Sequence, residues 1–174
     1  LEKLVAQSVQ ELEEVLEFSR QAKLAVWVNC KTRAYPFHQR VKDLLNPAEP
    51  IIMNVVGGNH GLANNGIHAA DLFAFYDEAR QIENAGSWVD PILHPSKRGE
   101  GVFDLSGTLQ GSTEKGSRFT LSYASDHALS EYICLTTRRY RCIVDQLQRW
   151  AVESDQGSGG AWRPVPFEGN LAVS

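Results

Sequence analysis

The sequence lacks any apolar run near the ~20 residues that a membrane-spanning helix needs. It also lacks a basic excess: 17 Lys and Arg stand against 21 Asp and Glu, for a formal net charge of −4 and a pI near 5.7. Nucleic-acid binding as a main task is thereby excluded, because neutralising phosphates requires a basic surface. Signature motifs are missing too: no Gly-x-Ser-x-Gly, no Gly-x-x-x-x-Gly-Lys-Ser/Thr and no Gly-x-Gly-x-x-Gly. Gly57-Gly58-Asn59-His60-Gly61 follows a strand-like run but has neither the glycine spacing nor the lysine of a phosphate cradle. No secretory leader opens the chain, which starts at Leu1 inside a helix-like pattern and reads as a processed or trimmed fragment. What is present is a mixture that is 43% hydrophobic and 22% charged, with mean hydropathy −0.29. That composition excludes global disorder. A chain of 174 residues reads as one domain, and at this size roughly 70% of the unfolded surface is buried without help from a metal.

Cysteine is scarce: Cys30, Cys134 and Cys142. The spacing is wrong for the repeated close pairs of a zinc site. Two readings stand, three buried reduced thiols or one bridge plus a free thiol. If Cys134 and Cys142 share a helix, ~12 Å separates them, beyond the ~7 Å a disulfide allows. A bridge then joins Cys30 to one of them, unless that helix breaks.

Helical spacing dominates the first segment. Leu1, Leu4, Val5, Ser8, Leu12, Val15, Leu16, Ser19, Ala22, Lys23 and Val26 recur every three or four residues, with only Lys23 out of character, and the glutamates fall mostly on other faces. The pattern predicts a helix over residues 1–28, with Leu24–Val28 buried. A short helix over 37–45 is stopped by Pro47 and Pro50. Ile51–Val56 reads as a buried strand, 57–66 as a loop, and 67–84 as a helix closed by Gly86. Alternation predicts antiparallel strands over 101–108 and 117–124. Leu129, Ile133, Thr137, Tyr140, Val144, Leu147 and Ala151 fit one helix from about 127 to 153. Residues 155–174, with Pro164 and Pro166, form a tail or edge strand. The expected fold class is α+β: a long N-terminal helix packed on a small, mainly antiparallel sheet with further helices.

Chemistry-bearing residues are few. His60, His68 and Asp71 are the metal candidates, since His68 and Asp71 share a helix face and His60 approaches from the preceding loop. Their spacing matches no recognised metal motif. Cys30 and His38 are the nearest thiol–imidazole pair, but nothing around Cys30 makes a nucleophile turn. Ser125-Asp126-His127 holds three triad residue types side by side and reads as a helix cap, because neighbours do not face one another in triad geometry. Arg138, Arg139 and Arg141 form the basic cluster, a solvated face or a docking patch for an acidic partner. Trp88 and Trp162 are the tryptophans expected at the surface, fitted to contacts with protein or carbohydrate.

With no catalytic constellation, an interaction role is the default. The long first helix, the antiparallel strands and the run Phe119–Ala124 followed by Asp126–Cys134 resemble the type IV pilins, particularly the type IVb and minor group. Pro166-Phe167-Glu168-Gly169-Asn170 is similar to the end of a pilin chain. The resemblance implies a non-enzymatic filament subunit with no cofactor. Its partners are other pilin subunits and a surface receptor, in assembly, adhesion or contact with DNA at the cell surface. It implies a pilus location outside the cell, and the inner membrane or periplasm before assembly, anchored by a missing apolar half-helix. It also implies a Cys134–Cys142 bridge, which needs a helix break. The competing class is a metal-dependent enzyme or small-ligand binder using His60, His68 and Asp71.

Overall fold

The computed structural model describes residue 6 and residues 8–96, 99–128 and 130–168. Among these are three α-helices: α1 (Val9–Gln21), α2 (Pro36–Leu44) and α3 (Leu62–Asp77). A 3-10 turn covers Lys31–Ala34. The strands are β1 (Ile52–Gly58), β2 (Glu83–Val89), β3 (His94–Pro95), β4 (Phe103–Asp104), β5 (Gly107–Ser112), β6 (Arg118–Ala124), β7 (Glu131–Thr136), β8 (Tyr140–Asp145), β9 (Trp150–Asp155) and β10 (Arg163–Pro166).

Eight strands form one sheet in the order β10-β9-β8-β7-β1-β6-β5-β2, while β3 pairs with β4 apart from it. β1 lies in the middle, parallel to β6 with Val55 opposite Leu121, and antiparallel to β7 with Val55 opposite Ile133. The remaining contacts of the sheet are antiparallel. Strand alternation sends Met53, Val55, Phe119, Leu121, Ile133, Leu135, Cys142 and Val144 to one face, where all are buried. α2 and α3 cover that face with Phe37, Val41, Leu72, Phe73 and Tyr76. Each such side chain contributes about 1.5–3 kcal/mol by leaving water. The opposite face carries Ile52, Val56 and Trp150, all exposed.

This is a large mixed sheet with three helices, and it replaces the expected long helix on a small antiparallel sheet. The first helix is shorter than predicted. Lys23 takes a left-handed φ of 52°, and Leu24 N closes onto Ser19 O at 2.9 Å, a C-terminal capping pattern normally signalled by glycine. No residue of α1 is buried, and Leu24, Val26, Trp27 and Val28 are exposed, not buried. Residues 1–5 of the predicted helix lie outside the described residues.

The predicted helix over 127–153 is instead β7, β8 and β9. Its three-four spacing was equally readable as short alternating runs. Tyr132, Ile133, Thr136, Tyr140, Ile143 and Val144 are β-branched or aromatic, which favours the strand. α3 begins five residues before the predicted 67 and ends at Asp77, where Glu78 adopts φ 58°. Gly86 lies within β2 and caps no helix. β10 sits at the sheet edge, where Pro164 and Pro166 are tolerated.

Candidate functional site

β1 and β6 are parallel, so their carboxyl ends emerge at the same edge of the sheet. Asn59 N donates to Ala124 O at 2.8 Å and ties the two ends together. Asn59 itself sits at φ 56°, a conformation asparagine tolerates. The chain then turns so that His60 Nδ1 meets Gly58 O at 2.9 Å. A carbonyl only accepts, so Nδ1 carries a proton, and in the neutral ring the lone pair is at Nε2. The His60 ring lies 5.5 Å from that of Tyr123. Gly57 permits this packing: a Cβ there would fall 2.7 Å from the Tyr123 ring.

A part-buried polar chain fixes Tyr123 from behind. Its hydroxyl donates to Glu131 Oε1. Gln146 Nε2 donates to the other oxygen of Glu131 at 2.8 Å. His38 Nε2 lies 3.0 Å from Gln146 Oε1, and His38 Nδ1 lies 2.5 Å from the Tyr76 hydroxyl. Gln146 Oε1 only accepts, so His38 donates from Nε2 and receives the Tyr76 proton at Nδ1. Burial lowers the His38 pKa to about 4, only partly offset by Gln146, and His38 is thus neutral at pH 7. Burial also raises Tyr76 and Tyr123. The amide of Gln146 does not relay protons, so the chain positions side chains and conducts nothing.

Asp104 of β4 organises the start of α3. Its Oδ1 accepts from Ala63 N at 2.9 Å and Asn64 N at 3.4 Å, and its Oδ2 accepts from Asn64 Nδ2 at 2.5 Å. A carboxylate from a distant strand thereby caps a helix whose own N-cap, Gly61, has no side chain to offer. His94 is the partner of Asp104 across β3 and β4. A cleft of about 170 Å³ opens beside this cap, lined by Asn59, Gly61, Asn65, Ser96, Asp104 and Ser125. A larger one of about 360 Å³ opens on the uncovered face at the same edge, between Val56, Trp88, Thr108, Ser122, Asp126 and His127. The Thr108 and Ser122 hydroxyls bond at 2.7 Å.

The sequence-predicted residues are distributed as follows. His60 precedes α3, whereas His68 stands in the second turn of that helix, half-buried. Asp71 accepts from Nε and Nη2 of Arg33, one on each carboxylate oxygen. Among the described residues no group of three or more His, Cys, Asp or Glu is placed to hold a metal. Asp126 and His127 do meet, at 2.8 Å, because they lie in a turn and not in a helix cap; Ser125 Oγ donates to Leu105 O, so no triad forms. Cys30, Cys134 and Cys142 are free thiols. Cys134 pairs with Ile143 and Leu135 with Cys142 across adjacent strands, so the two sulfurs face opposite sides of the sheet and a Cys134–Cys142 bridge is geometrically barred. His38 is bound to Tyr76 and Gln146 and does not serve Cys30. Arg138 and Arg139 sit in the β7–β8 turn at the opposite end of the sheet, with Arg141 beginning β8 beside them. Trp88 is 62% exposed, while Trp162 carries the Arg141 guanidinium 4.6 Å above its ring.

Sequence reasoning missed Arg33, Asp104, Tyr123, Glu131 and Gln146. The short apolar run Tyr132–Leu135, rich in strand-favouring residues, is the signal that could have marked β7 and hence Glu131. No local signal marks Asp104 as a cap for a helix 40 residues away.

No family model matches the chain, and no curated protein does either. The fold is shared with solved oxidoreductases. A dehydrogenase from Clostridium difficile superposes with a TM-score of 0.71 at 17% identity, covering 99% of this chain and 55% of that one. A UDP-N-acetylglucosamine 3-dehydrogenase from Acidithiobacillus ferrooxidans gives 0.70 at 11% identity, covering 97% and 55%. A 3-ketoreductase mutant from Actinomadura kijaniata, crystallised with TDP-benzene and NADP, gives 0.71 at 14% identity, covering 97% and 55%. The chain spans about 55% of the length of these structures.

These likenesses overturn the pilin resemblance and what it implied. The run Phe119–Cys134 leads from β6 into β7, not into a cysteine-bearing helix. The expected non-enzymatic filament subunit, its pilin partners and receptor, its disulfide and its extracellular pilus location all fall with the pilin fold, because the shared architecture is that of oxidoreductases. No helix among the described residues is long and apolar enough to cross a membrane.

Proposed function

We propose that this chain forms the substrate-facing half of an NAD(P)-dependent oxidoreductase of the Gfo/Idh/MocA type. The observation that carries the reading is the extent of the match: nearly the whole chain overlays on about half of several dehydrogenases and a ketoreductase. Two features of the chain support it. The residues present do not fit a dinucleotide. The sequence has no glycine fingerprint, and among the described residues the sheet has one parallel contact where a doubly wound nucleotide fold has several. The surface of residues 9–28 is unusually apolar, with Val9, Leu12, Leu16, Phe18, Leu24 and Trp27 exposed. Such a patch fits a surface that packs against another folded unit, here one that supplies the nucleotide site.

This half contributes substrate contacts and an imidazole to exchange the proton of a hydroxyl or carbonyl group. His60 has its tautomer set with Nε2 free to accept. His68 stands on α3 one turn beyond Asn64 and one turn before Asp71. His60 lies at the end of the sheet where β1 leads into α3.

The test uses protein from the whole open reading frame. NADH and NADPH consumption is screened against keto-sugars, and NAD and NADP reduction against sugars and nucleotide sugars. Turnover with at least one of them is expected. His60→Asn and His68→Asn are then compared. Loss of about 10²–10⁴-fold in kcat in one of them, with a changed pH profile, identifies the proton-exchanging group. No turnover with either nucleotide, or full activity in both variants, overturns the reading.

A further inference from the structure

We propose that the cleft at the far end of β8 and β9 is a binding site for a small ligand bearing a phosphate group. Its volume is about 330 Å³, and its walls include Thr137, Arg138, Arg139, Arg141, Gly159 and Gly160. That is the lower end of the range for small-molecule sites.

Hydrogen bonds between the two loops build the walls. Gln156 N donates to Arg139 O at 3.2 Å. Arg141 Nη2 donates to Gly160 O at 2.9 Å, and its guanidinium rests on the Trp162 ring. Thr137 Oγ1 accepts from Tyr140 N at 3.0 Å and tightens the turn that presents Arg138 and Arg139. Arg141 is therefore held in place before any ligand arrives.

The charge is unbalanced. Among the described residues no carboxylate lies within ion-pair distance of Arg138, Arg139 or Arg141. The carboxylate in the wall, Asp155, is already committed to Arg163 Nη2 at 2.9 Å and Ser158 N at 2.7 Å. Three arginines thus line one concavity in a chain whose net charge is −4. Guanidinium groups match phosphate oxygens in bidentate geometry, and a phosphate dianion relieves their mutual repulsion. A compact cleft of this size favours a small phosphate ester over a polyanion.

The cleft is separate from the carboxyl-end site. β7 runs from the site edge at Glu131, opposite Gly57, to Thr136, opposite Ile52. Six residues of strand put the arginines roughly 20 Å away, so the proposal stands or falls independently of the oxidoreductase reading.

The full chain is titrated with pyrophosphate and with inorganic phosphate at constant ionic strength, by calorimetry and amide chemical shifts. Saturable one-to-one binding with Kd below about 1 mM is expected, with shifts centred on 137–141 and 156–160. Arg138→Gln and Arg139→Gln are exposed-site changes; each weakens binding about tenfold, and Arg80→Gln, remote from the cleft, leaves it unchanged. Unaltered thermal unfolding of the variants excludes misfolding. A response that never saturates, affinity that survives the double Arg138→Gln/Arg139→Gln change, or tighter binding of a DNA duplex than of pyrophosphate would each overturn the proposal.

Discussion

Arg33 holds both carboxylate oxygens of Asp71, donating from Nε and Nη2, and joins the 3-10 turn before α2 to the middle of α3 across 38 residues of sequence. Asp71 is only 12% exposed in its side chain and Arg33 46%. Burial pushes the Asp71 carboxyl upward, and Arg33 pulls it back down by less.

Removing the guanidinium leaves a mostly buried carboxylate without its main counter-charge. Arg33→Ala is expected to cost about 1–2 kcal/mol at pH 7, reduced for the half-exposed guanidinium. The loss shrinks toward pH 4, because a protonated Asp71 no longer needs a cation. Asp71→Asn in the Arg33→Ala background should add little. Urea denaturation at the two pH values measures all of these.

Gly61 and Asp104 are coupled by space. A Cβ at Gly61 would lie 1.6 Å from an Asp104 carboxylate oxygen. Gly61→Ala alone should cost about 1–3 kcal/mol. Asp104→Ala alone should cost about 1–2 kcal/mol through the lost cap on Ala63 and Asn64. In the Asp104→Ala background, Gly61→Ala becomes nearly neutral. A double-mutant cycle read by chemical denaturation tests this; additive losses would deny the contact.

His38 makes stability depend on acid. Its folded pKa of about 4 lies below the ordinary 6.5, so the unfolded chain binds more protons between those values. Stability is therefore full above pH 6.5 and falls as the pH drops toward 4, by about 3 kcal/mol from this group. His38→Gln, although less stable at pH 7, should flatten that slope. Denaturation midpoints at half-unit steps from pH 7 to 4 give the comparison.

The thiols should be slow. Burial pushes Cys142 up to about 12 and raises Cys134 as well, and the thiolate is the reactive form. With a chromogenic disulfide reagent at pH 8, native protein should react at no more than Cys134, which is half-buried on the open face. Three thiols should titrate once the protein is unfolded, without prior reduction. Fewer than three would show a bridge that the free-thiol geometry does not contain.

The expected elements divide by how local their cause is. Phe119, Leu121 and Tyr123 alternate with polar residues, and β6 lies where that pattern put it. Its expected partner over 101–108 is not its neighbour: β5 (Gly107–Ser112) pairs with β6, and Phe103–Asp104 forms β4 in the separate pair with β3. α2 ends before Pro47 as its proline demands. By contrast, Asn64-Asn65-Gly66 reads as loop by composition and is helical because Asp104 caps it from another strand. The candidate site suffered most. His60 and His68 were visible as polar groups near one loop, but Arg33, Glu131 and Gln146 took meaning only from neighbours far away in the chain.

Charge balance, the absence of nucleotide and hydrolase motifs, the central strand and the α2 boundary came from the amino-acid sequence alone, since each rests on residue chemistry or on spacing within a few positions. Only the tertiary structure decided that 131–155 forms three strands, that β1 joins β6 in parallel, and that Asp71 is paired with Arg33. Short apolar runs satisfy a period of 3.6 and a period of 2 almost equally well. The choice between them is made by which partner strand or helix buries the face, a contact that no local window contains.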